Sequence, residues 1–166
     1  IALRFMGDPN FNISVNGKKV CLDDVPDDKI TTYTNMISED RELTIRIIDT
    51  EQSDRTTKLH GIAFQVNNRL VGEISWKHQG LQDFIDGRRL EGKRLLVIVT
   101  ADFLLETDVI NSDWTGFDYE SDIYKEIITI VDETIDTHLA KFSEDHRRKV
   151  FQEAKEKSSI YLEYTP

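Results

Sequence analysis

Hydrophobic and polar residues alternate from the start of the chain. Phe11, Ile13 and Val15 are separated by polar neighbours, Asn16-Gly17 follows, and Lys18-Lys19-Val20-Cys21-Leu22 returns. Asn-Gly between two such runs predicts a hairpin, because both residues of a tight two-residue turn need positive φ. Residues 23–28 form an acidic loop. At 42–48 the residues Leu43, Ile45 and Ile47 share one face of a further strand, and the polar stretch 50–58 reads as a loop. A mostly apolar run at 61–66 ends in a turn at Asn67-Asn68, and 69–74 leaves that turn as another strand. Residues 75–92 read as irregular, with one short helix at 81–85. The segment 94–101 is the most apolar of the chain and predicts a central strand covered on both faces.

Beyond residue 117 the period changes. Tyr124, Ile127, Ile128, Val131, Ile135, Leu139 and Phe142 fall on one helical stripe, with Asp118 or Ser121 as N-cap. Ser143 predicts the cap of a second helix that carries Val150 and Phe151 and runs to about residue 157. Strands followed by helices define an α+β domain, a four- to five-stranded sheet with helices on one face. We read residues 1–166 as one domain, with a core at 5–142 and a helical extension at 143–166.

Composition narrows the function. The chain has 166 residues, 39% of them apolar and 31% charged, which suits one soluble domain. Its net charge of −10 argues against coating nucleic acid by charge alone. Cys21 is the only cysteine, so an internal disulfide and cysteine-based metal sites are excluded and a reducing, cytoplasmic setting is expected. No apolar run approaches bilayer length. The start, Ile1-Ala2-Leu3-Arg4, has neither an initiator Met nor a signal pattern, and we expect a piece of a longer protein.

Catalytic constellations are sparse. There is no phosphate-binding glycine loop with Lys-Ser/Thr, no His-Glu-x-x-His and no Gly-x-Ser-x-Gly. The pairs Asp23/Asp24, Asp27/Asp28 and Glu39/Asp40 read as solvated turn residues rather than acid–base dyads. His138 and His146 fall on either side of the expected helix break, and no metal site is expected among the four histidines. Two features stand out. Arg88, Arg89, Lys93 and Arg94 surround Gly87 and Gly92 and could face a phosphate or a partner, with Lys77 as a further cation; the plain alternative is a solvated guard beside an apolar strand. Asp113, Trp114 and Phe117 form an aromatic loop between strand and helix, either plugging the core or held to touch a partner domain.

Val66-Asn67-Asn68-Arg69-Leu70-Val71 is similar to the Asn-Asn-Arg-Leu-Ile signature in the second domain of MORC-type ATPases. Thr100-Ala101-Asp102-Phe103-Leu104, then Asp113-Trp114-Thr115-Gly116-Phe117 and a Tyr-containing helix, resemble the order in which that family places a strand, an aromatic loop and a helix. The hairpin at 11–20 looks like the first one after the nucleotide-binding domain in bacterial relatives. The resemblance covers roughly residues 5–140. It implies the GHKL superfamily, which includes DNA gyrase, MutL, MORC and the ninety-kilodalton heat-shock chaperone. There a transducer domain, with the second-domain fold of a ribosomal small-subunit protein and a left-handed βαβ crossover, follows the nucleotide-binding domain. A transducer lysine reaches the γ-phosphate, and ATP binding closes and dimerises the protein.

That resemblance implies a non-catalytic transducer that couples ATP binding next door to conformational change, in DNA transactions or defence. ATP and Mg would belong to the parent protein and no cofactor to this chain. The partners implied are the N-terminal nucleotide-binding domain, a second copy of the parent, and nucleic acid through the parent. Asn67, Asn68 and Arg69 would fix the turn at the sheet end. Aligned on Phe117, the family's lysine falls on Trp114, and residues 106–119 contain no Lys or Arg. The role then moves to Lys93, Arg94, Arg88 or Lys77, or Trp114 packs on the nucleotide domain without touching phosphate. The rival readings are a protein-interaction module docking a partner through the helix at 123–142, and an autonomous nucleic-acid-binding domain of the same fold.

Overall fold

A computed structural model describes residues 13–15, 18–20, 27–50, 60–82 and 85–163, with side chains described for 27–50, 60–82 and 85–158. The opening hairpin pairs β1 (Ile13–Val15) with β2 (Lys18–Val20) in antiparallel register, Ile13 opposite Val20. Its expected turn, Asn16-Gly17, and the acidic stretch at 23–26 lie outside the described residues.

The main sheet has five strands: β3 (Ile30–Ser38), β4 (Arg41–Asp49), β5 (Gly61–Val66), β6 (Arg69–Ser75) and β7 (Leu95–Thr100). Their order is β3-β4-β7-β5-β6. β7 runs antiparallel to β4 and parallel to β5, so the sheet is mixed and β7 is its centre. Leu95 to Val99 are all buried, as an apolar run with cover on both faces requires. The class is α+β.

The two faces follow from register. Ile45 lies opposite Val99, and Val99 opposite Phe64, so the three share a face. Phe64 meets the Phe117 ring at 5.2 Å, and Phe117 meets Tyr124 at 5.3 Å, which ties the start of the long helix to that face. Tyr124, Ile127, Ile128 and Val131 are buried there, each such side chain contributing roughly 1.5–3 kcal/mol. On the opposite face Ile48, Ala63, Leu96 and Ile98 cluster, with Ile30, Leu70 and Ile74 packed around them.

Three sequence expectations change. First, Ile30–Ser38 is a nine-residue strand that the apolar pattern does not announce; five of its residues are exposed, and its inner face carries Tyr33, Asn35 and Ile37. Second, Leu81, Gln82 and Ile85 are not helical; the short helix α1 is Leu90–Arg94, immediately before β7. Third, the helix does not break at Ser143. α2 runs unbroken from Asp122 to Glu163. No Gly or Pro occurs between Gly116 and Pro166, and the Lys, Glu and Arg around Ser143 favour continuation over a new cap. Compact packing divides the chain into two units, Ile1–Val131 and Asp132–Pro166. Among the described residues, no helix is long and apolar enough to cross a membrane.

Candidate functional site

Two segments distant in sequence meet on β6. In the β5–β6 turn, Asn67 and Asn68 hold φ of 48° and 62°, the left-handed values a tight hairpin requires and asparagine tolerates. The Asn67 N–H donates to Asp102 Oδ1 at 2.7 Å, anchoring the turn to the 3-10 turn Asp102–Glu106 that follows β7. Further along β6, Gly72 (φ 69°) donates its N–H to the Trp114 carbonyl at 2.9 Å. A Cβ at Gly72 would lie 3.1 Å from the Thr115 carbonyl oxygen, so both the backbone twist and the close approach select glycine there.

The loop that reaches Gly72 is a small hairpin of its own. Ile110 bridges Phe117, Asn111 N–H donates to the Gly116 carbonyl at 3.0 Å, and Asp118 N–H donates to the Val109 carbonyl at 2.7 Å. Phe117 is buried in the core, while Trp114 at the tip stays half-buried. Trp114 has φ of 61°, a value a bulky residue rarely adopts and one that costs of order 1–2 kcal/mol. The Arg69 guanidinium lies over its ring, 4.2 Å from the centroid, a cation–π contact worth about 0.5–2 kcal/mol. Beside it the exposed Asp113 carboxylate accepts from both the hydroxyl (2.7 Å) and the N–H (3.1 Å) of Thr115. Those bonds favour the charged form and hold Asp113 below the usual carboxylate range.

The basic cluster lies at the other end of the sheet. Gly61 pairs with Leu96 and Gln65 with Thr100, so Arg94 sits at the Gly61 end and the Asn67 turn at the Thr100 end. At a strand rise of about 3.3 Å per residue these ends are separated by about 20 Å. Arg94 makes a bidentate pair with Asp49, 3.0 Å from Nε to Oδ1 and 2.6 Å from Nη2 to Oδ2, with both side chains mostly buried. Its carbonyl accepts from the Thr50 N–H and hydroxyl at 2.9 and 2.8 Å. Arg94 thus fastens β4 to the start of β7. Gly92 is buried, and a Cβ on it would lie 2.6 Å from the Asp86 carbonyl oxygen, so that glycine admits backbone of this chain. Trp76 Nε1 donates to the Gly92 carbonyl at 3.0 Å. Arg88, Arg89 and Lys77 are exposed and Lys93 half-buried.

An acidic cavity of about 380 Å³ opens near the Asn67 turn, lined by Asp40, Glu42, Thr44, Thr100, Asp102, Phe103 and Glu106. Four carboxylates there repel phosphate. His138 and His146 stand on one continuous helix; eight residues at 1.5 Å rise place them roughly 12 Å apart, too far to share a metal ion.

The structure therefore joins Asn67, Asn68, Arg69, Asp113, Trp114 and Phe117 in one region and leaves Arg88, Arg89, Lys93, Arg94 and Lys77 outside it. The stacking of Arg69 on Trp114 and the docking role of Gly72 were missed in the sequence, although a glycine interrupting an apolar strand signals a close backbone approach. No protein-family model matches the chain, and no curated protein matches it.

Proposed function

We propose that this domain is the transducer of a GHKL-type, MORC-like ATPase, and that the Arg69–Trp114 region is where it meets the nucleotide-binding domain. The observation that carries the reading is the meeting of its two motif segments, Val66–Val71 and Asp113–Phe117, on one strand. Trp114 stands where the family's lysine falls, and Arg69 brings a cation to within 4.2 Å of its ring centroid. A guanidinium there supplies the charge that the loop itself lacks. It would favour the closed arrangement only while a γ-phosphate is present, which makes the contact a sensor.

A bulky residue at positive φ supports the same view, because the strain and the stacking are of similar size and leave stability little reason to prefer Trp at position 114. On this reading ATP and Mg bind in the neighbouring domain, the parent closes as a dimer in the cytoplasm, and the outcome is remodelling in DNA transactions or defence. The sheet would be that of the second domain of a ribosomal small-subunit protein.

The test uses this chain alone and joined to its nucleotide-binding domain. Calorimetry should detect no binding of a non-hydrolysable ATP analogue to the chain alone. In the joined protein, Arg69→Ala should reduce ATP hydrolysis about tenfold, equivalent to about 1.4 kcal/mol, while Lys93→Ala leaves it unchanged. Turnover of ATP by the isolated chain, or hydrolysis indifferent to Arg69, would overturn the proposal.

A further inference from the structure

The main sheet treats its two edges differently. On β6, Arg69 and Glu73 are charged, Gly72 twists the strand, and the Gly72 N–H is occupied by the Trp114 carbonyl. These are ways of closing an edge to foreign strands. β3 has none of them along Ile30–Met36, where its register with β4 is regular; the one irregularity, between Met36 and Ser38, comes at its end. Over all nine residues β3 carries no charge and no proline, and among the described residues it pairs with β4 only. Thr31, Thr32, Thr34 and Met36 are exposed, Met36 at 58%.

We propose that β3 is a self-pairing edge: two copies of this chain join β3 to β3, antiparallel, about a two-fold axis at Tyr33, into one continuous sheet. The sequence of the strand is complementary to its own reverse in that register. Ile30 faces Met36 of the second copy, an apolar pair, and Thr32 faces Thr34, a hydroxyl pair; all four lie on one face of the sheet. Beyond the strand Lys29 becomes the diagonal neighbour of Glu39 while Asp27 falls directly opposite Glu39, so the charged flanks add nothing to the match and the pairing rests on the strand itself. Such a two-fold uses the β3 edge of each copy, an edge that no other described strand occupies, and it cannot grow further through that edge. The pairing needs no nucleotide and is independent of the transducer reading, which survives its failure.

Sedimentation of the full chain tests it. The wild-type mass should rise from 19.3 kDa toward a dimer over protein concentrations of about 1 μM to 1 mM. Thr32→Lys with Thr34→Lys puts like charges opposite each other twice and should weaken association at least about tenfold. Thr32→Glu with Thr34→Lys puts opposite charges there and should preserve it. A mass fixed at 19.3 kDa throughout that range, or a dimer indifferent to the double lysine variant, overturns the proposal. Whether or not the variants fold, amide exchange across Ile30–Met36 in the wild type should slow as concentration rises, and exchange independent of concentration counts against it equally.

Discussion

His78 is pulled in two directions. Its Nε2 lies 3.0 Å from the Ile62 carbonyl and its ring meets Phe64 edge-on at 5.1 Å. Burial disfavours the imidazolium, whereas the backbone groups of Ile62 and Ser75 favour it; burial prevails and the pKa falls below the ordinary value. Because a carbonyl only accepts, the neutral ring carries its proton on Nε2. The unfolded chain, with His78 near pKa 6.5, then binds more protons than the folded one at mildly acidic pH. Stability contributed by the neutral ring is full above about pH 7 and falls as the pH drops through about 6.5, levelling off below the folded pKa. Urea midpoints compared between about pH 7.5 and 5.5 should therefore fall more steeply in the wild type than in His78→Gln, which keeps a donor for Ile62 without the titration. Equal slopes would place His78 in contact with water.

At the scale of elements, α2 gives the sharpest contrast between local signal and outcome. Ser143 followed by acidic residues resembles an N-cap, yet an N-cap is selected only where preceding residues leave the helix, and nothing from Asp122 onward forces them to. Ser143→Ala separates the cases. An N-cap substitution costs about 1 kcal/mol, whereas in a helix interior Ala is the better former by up to about 0.7 kcal/mol. We expect unchanged or raised helicity at 222 nm and an unchanged or raised melting temperature; a marked fall in either would mean that the chain caps there. The strands at 42–48, 61–66, 69–74 and 94–101 were legible because their apolar residues fall at period two or form an unbroken run. β3 was not, since Thr, Asn and Tyr half-cover one face and give no such contrast. In the site, the Asn67-Asn68 turn and the presence of an aromatic loop at Trp114 and Phe117 between strand and helix were legible from local chemistry. The Arg69–Trp114 contact and the Arg94–Asp49 pair were not, because each depends on the register of strands far apart in sequence.

For the whole sheet, everything passes through β7. The order β3-β4-β7-β5-β6 places β7 between the β3–β4 and β5–β6 pairs, and among the described strands it is the one that pairs with both. Each pair is a local hairpin, and an isolated two-stranded hairpin is marginal in water. β7 joins them, and Ile98, fully buried in one cluster with Ile48 of β4 and Ala63 of β5, is one of the side chains that bridge the two pairs. Ile98→Ala should cost about 2–5 kcal/mol, through lost transfer energy and the cavity left behind. Against a total of about 5–15 kcal/mol for a domain, that is a large share. Because the loss falls on the joint, hydrogen exchange should rise together in β4 and β5, on either side of β7, by a common factor. Glu73→Ala on the exposed surface of β6 should change stability by less than about 0.5 kcal/mol. Acceleration of one hairpin alone in the Ile98 variant would mean that the halves are stabilised separately, each by its own packing, and that β7 only lies between them.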